Sequence, residues 1–111
     1  MSAIMGHIAT LVFTGTATAP IAERQLVGFD DAPAGADAPV KGIAMSAAAT
    51  GEPFPILALG TVDLVAVGAV AAGDALSANA AGAAVAGGTA PFGRALSTTT
   101  GPGQRVQVLV R

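Results

Sequence analysis

The sequence predicts an all-β protein: a small single-domain β-barrel or sandwich of seven or eight short strands, with at most one short helix and a flexible N-terminal arm. Three observations lead there. Fifteen glycines and seven prolines in 111 residues interrupt the chain too often for long helices. Short runs of Val, Ile, Leu and Thr recur between turn formers at intervals of about ten residues. The final run, RVQVLVR at 105–111, alternates cleanly, with Val106, Val108 and Val110 on one side and Arg105, Gln107 and Arg111 on the other. Leu109 breaks the polar side and is expected to touch a neighbour.

The chain is organised around residues 51–76, GEPFPILALGTVDLVAVGAVAAGDAL. Pro53, Pro55, Gly60, Gly68 and Gly73 divide this stretch, which predicts two short buried strands with their turns. Between 56 and 64 both alternating registers are apolar, the pattern of a strand covered on both faces. Asp63 is the exception. An isolated carboxylate in an apolar core costs several kcal/mol, so Asp63 belongs at a rim or an interface, with solvent, a donor or a positive charge beside it.

The remaining elements follow from composition. Residues 1–7 are small and free of Asp, Glu, Lys and Arg, which suits an arm that orders against a partner, and residues 8–111 form the single β-rich domain. Strands are expected at 8–14 (IATLVFT), 26–30 (LVGFD) and 40–47 (VKGIAMSA), the last with Ile43 and Met45 on one face. Pro20 at a first turn allows one short helix through Arg24. Residues 31–39 (DAPAGADAP) are turn formers, and 72–74 (AGD) make a turn in which Gly supplies positive φ and Asp bonds its own backbone. Residues 79–82 read as a hairpin tip, 83–86 and 92–97 as short strands, and 98–103 (TTTGPG) as a loop.

Composition excludes several classes of function. Hydrophobic residues make up 52% of the chain but aromatics only 4%, so apolar character comes from Ala and small aliphatics, and a sugar-binding surface built on stacked rings is disfavoured. Charged residues are 11%, against roughly 25% in soluble domains, and a weakly polar surface of that kind suits an assembly better than a free monomer. Arg24, Lys41, Arg94, Arg105 and Arg111 are scattered and the net charge is -2, which argues against nucleic-acid binding. Without cysteine there is no disulfide framework, thiol nucleophile or thiolate metal site. The uncharged start lacks a positive n-region and is broken by Gly6, Gly15 and Pro20, unlike a signal peptide. Residues 75–93 are too rich in Ala, Gly, Ser and Thr to sit in lipid.

Candidate chemical groups are few, and no catalytic residue, cofactor or metal is assigned. His7, the one histidine, lies in the arm without an orienting partner. Asp30, Asp31 and Asp37 share a loop with Gly35, but their spacing is not that of a calcium loop and no bidentate Glu follows. Gly101-Pro102-Gly103 precedes a strand, whereas a phosphate-binding loop opens a helix. Lys41 supports an alternative reading, a biotinyl- or lipoyl-type carrier domain with one modifiable lysine, although such domains present it on a hairpin tip. A generic β-rich module binding sugar or peptide is the other alternative.

Taken in order, LVGFD (26–30), VKGIAMSAAATGEPFPILALGTVDLVAVGAVAAGDAL (40–76), ANAAGAAV (78–85), FGRALS (92–97) and VQVLV (106–110) resemble the capsid cement, or decoration, proteins of tailed bacteriophages. The resemblance covers nearly the whole chain and rests on glycines and small aliphatics. It implies a non-enzymatic protein on the outer capsid surface of the virion, present in the host cytoplasm during assembly. Such a protein binds the major capsid protein, commonly as a homotrimer, and stabilises contacts between neighbouring capsomers. It brings no catalytic residues. The capsid or protomer interface is expected to include Ser2, Ala3, Ile4, Met5 and His7 of the arm, with Asp63 and Leu109.

Overall fold

The computed structural model describes the backbone of residues 7–111 and the side chains of residues 11–111. Its strands are β1 (His7–Thr16), β2 (Leu26–Gly28), β3 (Val40–Ala44), β4 (Pro53–Val65), β5 (Ala75–Ala78), β6 (Ala84–Ala86), β7 (Gly93–Ala95) and β8 (Arg105–Val110). Every strand pairing is antiparallel, along the path β2-β3-β4-β8-β7-β5-β6, with β1 added beside β4. The two ends of that path meet. Leu26 donates its N–H to the Gly82 carbonyl at 2.9 Å, and Asp37 donates its N–H to Ala78 at 2.8 Å. The sheet therefore curls into a nearly closed barrel, which decides between the two expected architectures.

β4 is one strand of 13 residues, where the punctuation predicted two short ones. Pro53 and Pro55 fall at its beginning, and Pro55 needs only to accept: its carbonyl takes the Met45 N–H at 3.0 Å. At Gly60 the strand continues with φ 143°, a conformation open to glycine and closed to the neighbouring Leu and Val types. One edge of β4 bonds β1 from Pro53 to Val62. The other edge serves β3 at Ile56 and Leu57, then β8 from Gly60 to Val65.

Alternation along β4 divides its side chains between two cores. Leu57, Val62 and Leu64 enter the barrel interior with Leu26, Ile43, Leu76, Phe92, Val106, Val108 and Val110. Phe54 and Ile56 point the other way, into a smaller core with Ala17, Ile21, Val27, Ala44 and Ala48. Cover on both faces is thus present at Ile56–Leu57 and again at Val62–Leu64, while Pro55, Leu59 and Val65 are exposed. Met45 packs against the main core, on the same side as Ile43.

The rungs of the sheet show the same division. Val62, Val108 and Ala95 form an inward rung, all buried; Thr61, Leu109 and Arg94 form the next, outward one. The short helix allowed after Pro20 is not formed, and the described residues contain no helix. Ile21 exchanges two backbone bonds with Ala48 instead, at 2.9 and 3.0 Å, and Arg24 adopts φ 67°. The expected turns are present: Ala71 donates its N–H to the Asp74 carboxylate at 3.0 Å beside Gly73, and the Asn79 side-chain oxygen accepts from Ala81 and Ala83 at 2.8 and 2.9 Å.

Gly93 is where strands press closest. A Cβ there would overlap the Leu109 carbonyl on the paired strand, which cannot retreat without breaking the β7–β8 ladder. Gly93→Ala is expected to lower stability by about 1–3 kcal/mol, the usual cost of overpacking, with Gly101→Ala, which meets nothing within 4 Å, unchanged. Urea unfolding of the two variants measures the difference.

Candidate functional site

The residues marked in the sequence do not converge on a cleft. Ser2, Ala3, Ile4 and Met5 lie outside the described residues. His7 opens β1, opposite Val62, so the strand begins one residue earlier than the expected domain boundary. Asp63 sits in mid-β4 opposite Gln107, buried at 8% exposure and held by a polar interaction. Leu109 is half-buried on the outward rung between Thr61 and Arg94.

The acidic loop is a set of locks. Lys41 forms an ion pair with Asp31, whose second oxygen accepts the Thr16 N–H at 3.3 Å, tying the end of β1 to β3. The Lys41 hydrogen bond holds the Asp31 carboxyl below its ordinary value, against the opposing effect of burial. Lys41 is therefore an engaged residue within β3, not the free tip a carrier lysine occupies. Asp30 accepts from the Ala32 N–H at 3.3 Å. The three aspartates go to separate partners, and no group of three His, Asp or Glu among the described residues is arranged to hold a metal.

Asp37 makes the longest-range of these contacts. Its carboxylate accepts the Thr89 hydroxyl at 2.6 Å and the N–H groups of Thr89 and Ala90 at 2.9 Å each. Below it, the Ser77 hydroxyl donates to the Gly87 carbonyl at 2.6 Å. These bonds fasten residues 31–39 to residues 87–90 across the line where the barrel closes. Asp37 reaches them from φ 52°, a left-handed conformation that Asp tolerates better than most residues. No local pattern announces this role for Asp37, because its partner lies 52 positions away.

The surface depressions are shallow. One of about 260 Å³ lies between the turn at 22–25 and the β5–β6 tip, against Leu64 and Val65, and offers Arg24, Glu23 and Gln25 as polar groups. That set lacks a nucleophile paired with a base. What the surface does offer is apolar: Leu11, Val12 and Phe13 of β1, with Phe29, Leu59, Val65, Val67 and Leu96, are exposed. No helix among the described residues is long and apolar enough to cross a membrane.

An eight-stranded barrel with no reactive cluster among its described residues, carrying exposed apolar side chains on β1, is the setting for the comparison with known proteins. Residues 5–111 match the family described as phage cement protein. The chain belongs to that family. The cement-protein assignment makes this a structural phage protein, associated with the virion capsid, and agrees with the resemblance carried by the glycine and aliphatic segments. Among solved structures, the N base of the head fiber gp8.5 of bacteriophage phi29 is similar, at TM-score 0.70 and 20% identity over 91% of this chain and 93% of that one. At that identity the likeness speaks for the fold. A comparison with curated proteins gave no match.

The Asp37 clamp gives this cement protein a pH dependence of known sign. Hydrogen bonds from the Thr89 side chain first, then from the Thr89 and Ala90 backbone, lower its pKa in the folded state. Its stabilisation is therefore complete above the ordinary carboxylate value, near pH 4, and is lost as pH falls through the lowered folded value. Melting temperature measured against pH is expected to show a shallower acid limb in Asp37→Asn than in the wild type, with the two curves parallel above neutrality.

Proposed function

We propose that this chain binds the outer surface of an assembled phage head through the major capsid protein and stabilises contacts between neighbouring capsomers, acting as a trimer. The observation that carries this reading is the family match along residues 5–111. The side-chain inventory supports it, because the aspartates and Lys41 are spent on holding the barrel together. Docking proteins with no reaction to perform need shape and copy number, and both are available to a small rigid barrel.

Additive clamping supplies the mechanism. A contact of about 4 kcal/mol per copy is only millimolar by itself. Joining three copies makes the second and third contacts intramolecular and raises avidity by orders of magnitude. In this reading Ser2, Ala3, Ile4 and Met5, together with His7 at the start of β1, reach the shell. In the same reading Leu109 and Asp63 contribute to the contact with a neighbouring protein. The protein acts on the virion after a passage through the host cytoplasm during assembly.

Co-sedimentation with expanded and unexpanded heads tests the proposal directly. The full chain is expected to pellet with heads, and a chain lacking residues 2–6, which leaves β1 whole, is expected to bind at least tenfold more weakly, a loss of about 1.4 kcal/mol, with its far-UV spectrum unchanged. Equal occupancy by both chains would remove the arm from the mechanism, and no binding by the full chain would remove the capsid.

A further inference from the structure

We propose that the depression where residue 111 passes β7 is a carboxylate-binding notch, and that it takes an acidic side chain displayed by the phage shell. Basic residues are scattered along the sequence, but the sheet brings two of them to one place. Arg94 lies in β7, opposite Leu109 of β8 on one side and Ala75 of β5 on the other. Val110 ends β8 opposite Gly93, and Arg111 follows it, donating its backbone N–H to the Phe92 carbonyl at 3.2 Å. Side chains alternate along a strand, and with Val108 and Val110 in the core, Leu109 and Arg111 face outward beside Arg94. A depression of about 200 Å³ lies there, lined by Arg94 and Arg111 with Ala75, Pro91 and Gly93.

Charge selects an anion as the occupant. No Asp or Glu lines the notch, and neither arginine is ion-paired among the described residues. Asp74, beside Gly73 in the chain, gives its carboxylate to the Ala71 N–H at 3.0 Å. Arg94 is held at one corner, where Nη1 donates to the Gly73 carbonyl at 2.9 Å, and the rest of its planar fork is left for an acceptor. Two like charges at one depression repel, and an anion seated between them removes that cost. Guanidinium forks take oxygens in pairs, which fits a carboxylate. Size and surroundings narrow the source. Sites for small molecules usually measure ~300–1,000 Å³, so a notch of about 200 Å³ suits a single side chain. Leu109, half-buried on the rung of Arg94, adds apolar surface that a partner chain covers and a free phosphate does not. A net charge of -2 makes the protein a poor seat for a nucleic-acid backbone.

The notch deepens the proposed function and rests on it only for the source of the acid; binding of a carboxylate is measured without heads. Amide shifts of the full chain are followed as N-acetyl-glutamate amide, or the neutral N-acetyl-glutamine amide, is added to roughly tens of millimolar, the range of an exposed ionic contact. The carboxylate is expected to move the amides of Ala75, Gly93, Arg94 and Arg111 and to leave that of Arg105, at the far end of β8, in place. The neutral isostere is expected to move none of them. Co-sedimentation with heads is expected to weaken about tenfold in Arg94→Glu and in Arg111→Glu, with an unchanged far-UV spectrum, and to hold in Arg105→Glu, which alters the net charge equally. Should a charge reversal fail to fold, Arg94→Gln and Arg111→Gln read the same loss. Absent shifts, or equal shifts with both amides, would overturn the notch. So would a stronger response to inorganic phosphate or to a short DNA duplex, or heads that bind Arg94→Glu and Arg111→Glu as they bind the wild type. Shifts confined to the notch in a chain that does not pellet with heads keep the carboxylate site and remove the shell as its source.

Discussion

Hydrogen bonding along both edges of β4 is the constraint on which the rest of the fold depends. One edge carries β1 from Pro53 to Val62 and the other carries β3 at Ile56 and Leu57 and then β8 from Gly60 to Val65, so the strand is paired on at least one side along nearly its whole length. A strand used this way sits where three others must approach it, and its neighbours must be small at the points of closest approach. Gly42 is one such point, since a Cβ there would overlap the Leu57 carbonyl. The abundance of Gly and Ala in this chain is thus a packing requirement as much as a flexibility signal. Val, Ile and Leu fill the volume that remains on either side, in two cores separated by the strand itself.

A curled sheet has an end to close, and this one closes with loops. β2 does not pair with β5 or β6 as a strand; the Leu26 N–H, the Gln25 side chain and the Asp37 backbone and carboxylate bridge the line instead. Backbone groups left open there would be costly inside and adhesive outside. The ion pair of Lys41 with Asp31 does related work at the end of β1, where it holds the strand's last turn against β3. Two aspartates of one loop thus hold different parts of the barrel, Asp37 at the closing line and Asp31 at the end of β1.

A family of phage cement proteins and a barrel of this kind suit one another physically. Cement must survive without chemistry and must offer surface, and here the surface is weakly polar, with apolar side chains gathered on β1. The strand bonded to β4 along nearly its whole length has, among the described residues, no strand on its other edge.

Much was legible in the sequence. The terminal VQVLV pattern, the AGD turn and the tip at 79–82 each follow from residues adjacent in the chain, and each formed as expected because local geometry was enough to specify it. The family was legible too, in the order of the small-residue segments. The misread elements were those where distant groups intervened. Pro53, Pro55 and Gly60 look like breaks until β1, β3 and β8 supply bonds that carry the strand through them. The turn after Pro20 looks helical until Ala48 claims the backbone of Ile21. By itself the sequence determined an all-β chain of small residues, since period and composition are local quantities. Only the tertiary structure decided that the sheet closes into a barrel, that Asp37 clamps it, and that β1 lies along β4, because each depends on residues tens of positions apart meeting in space.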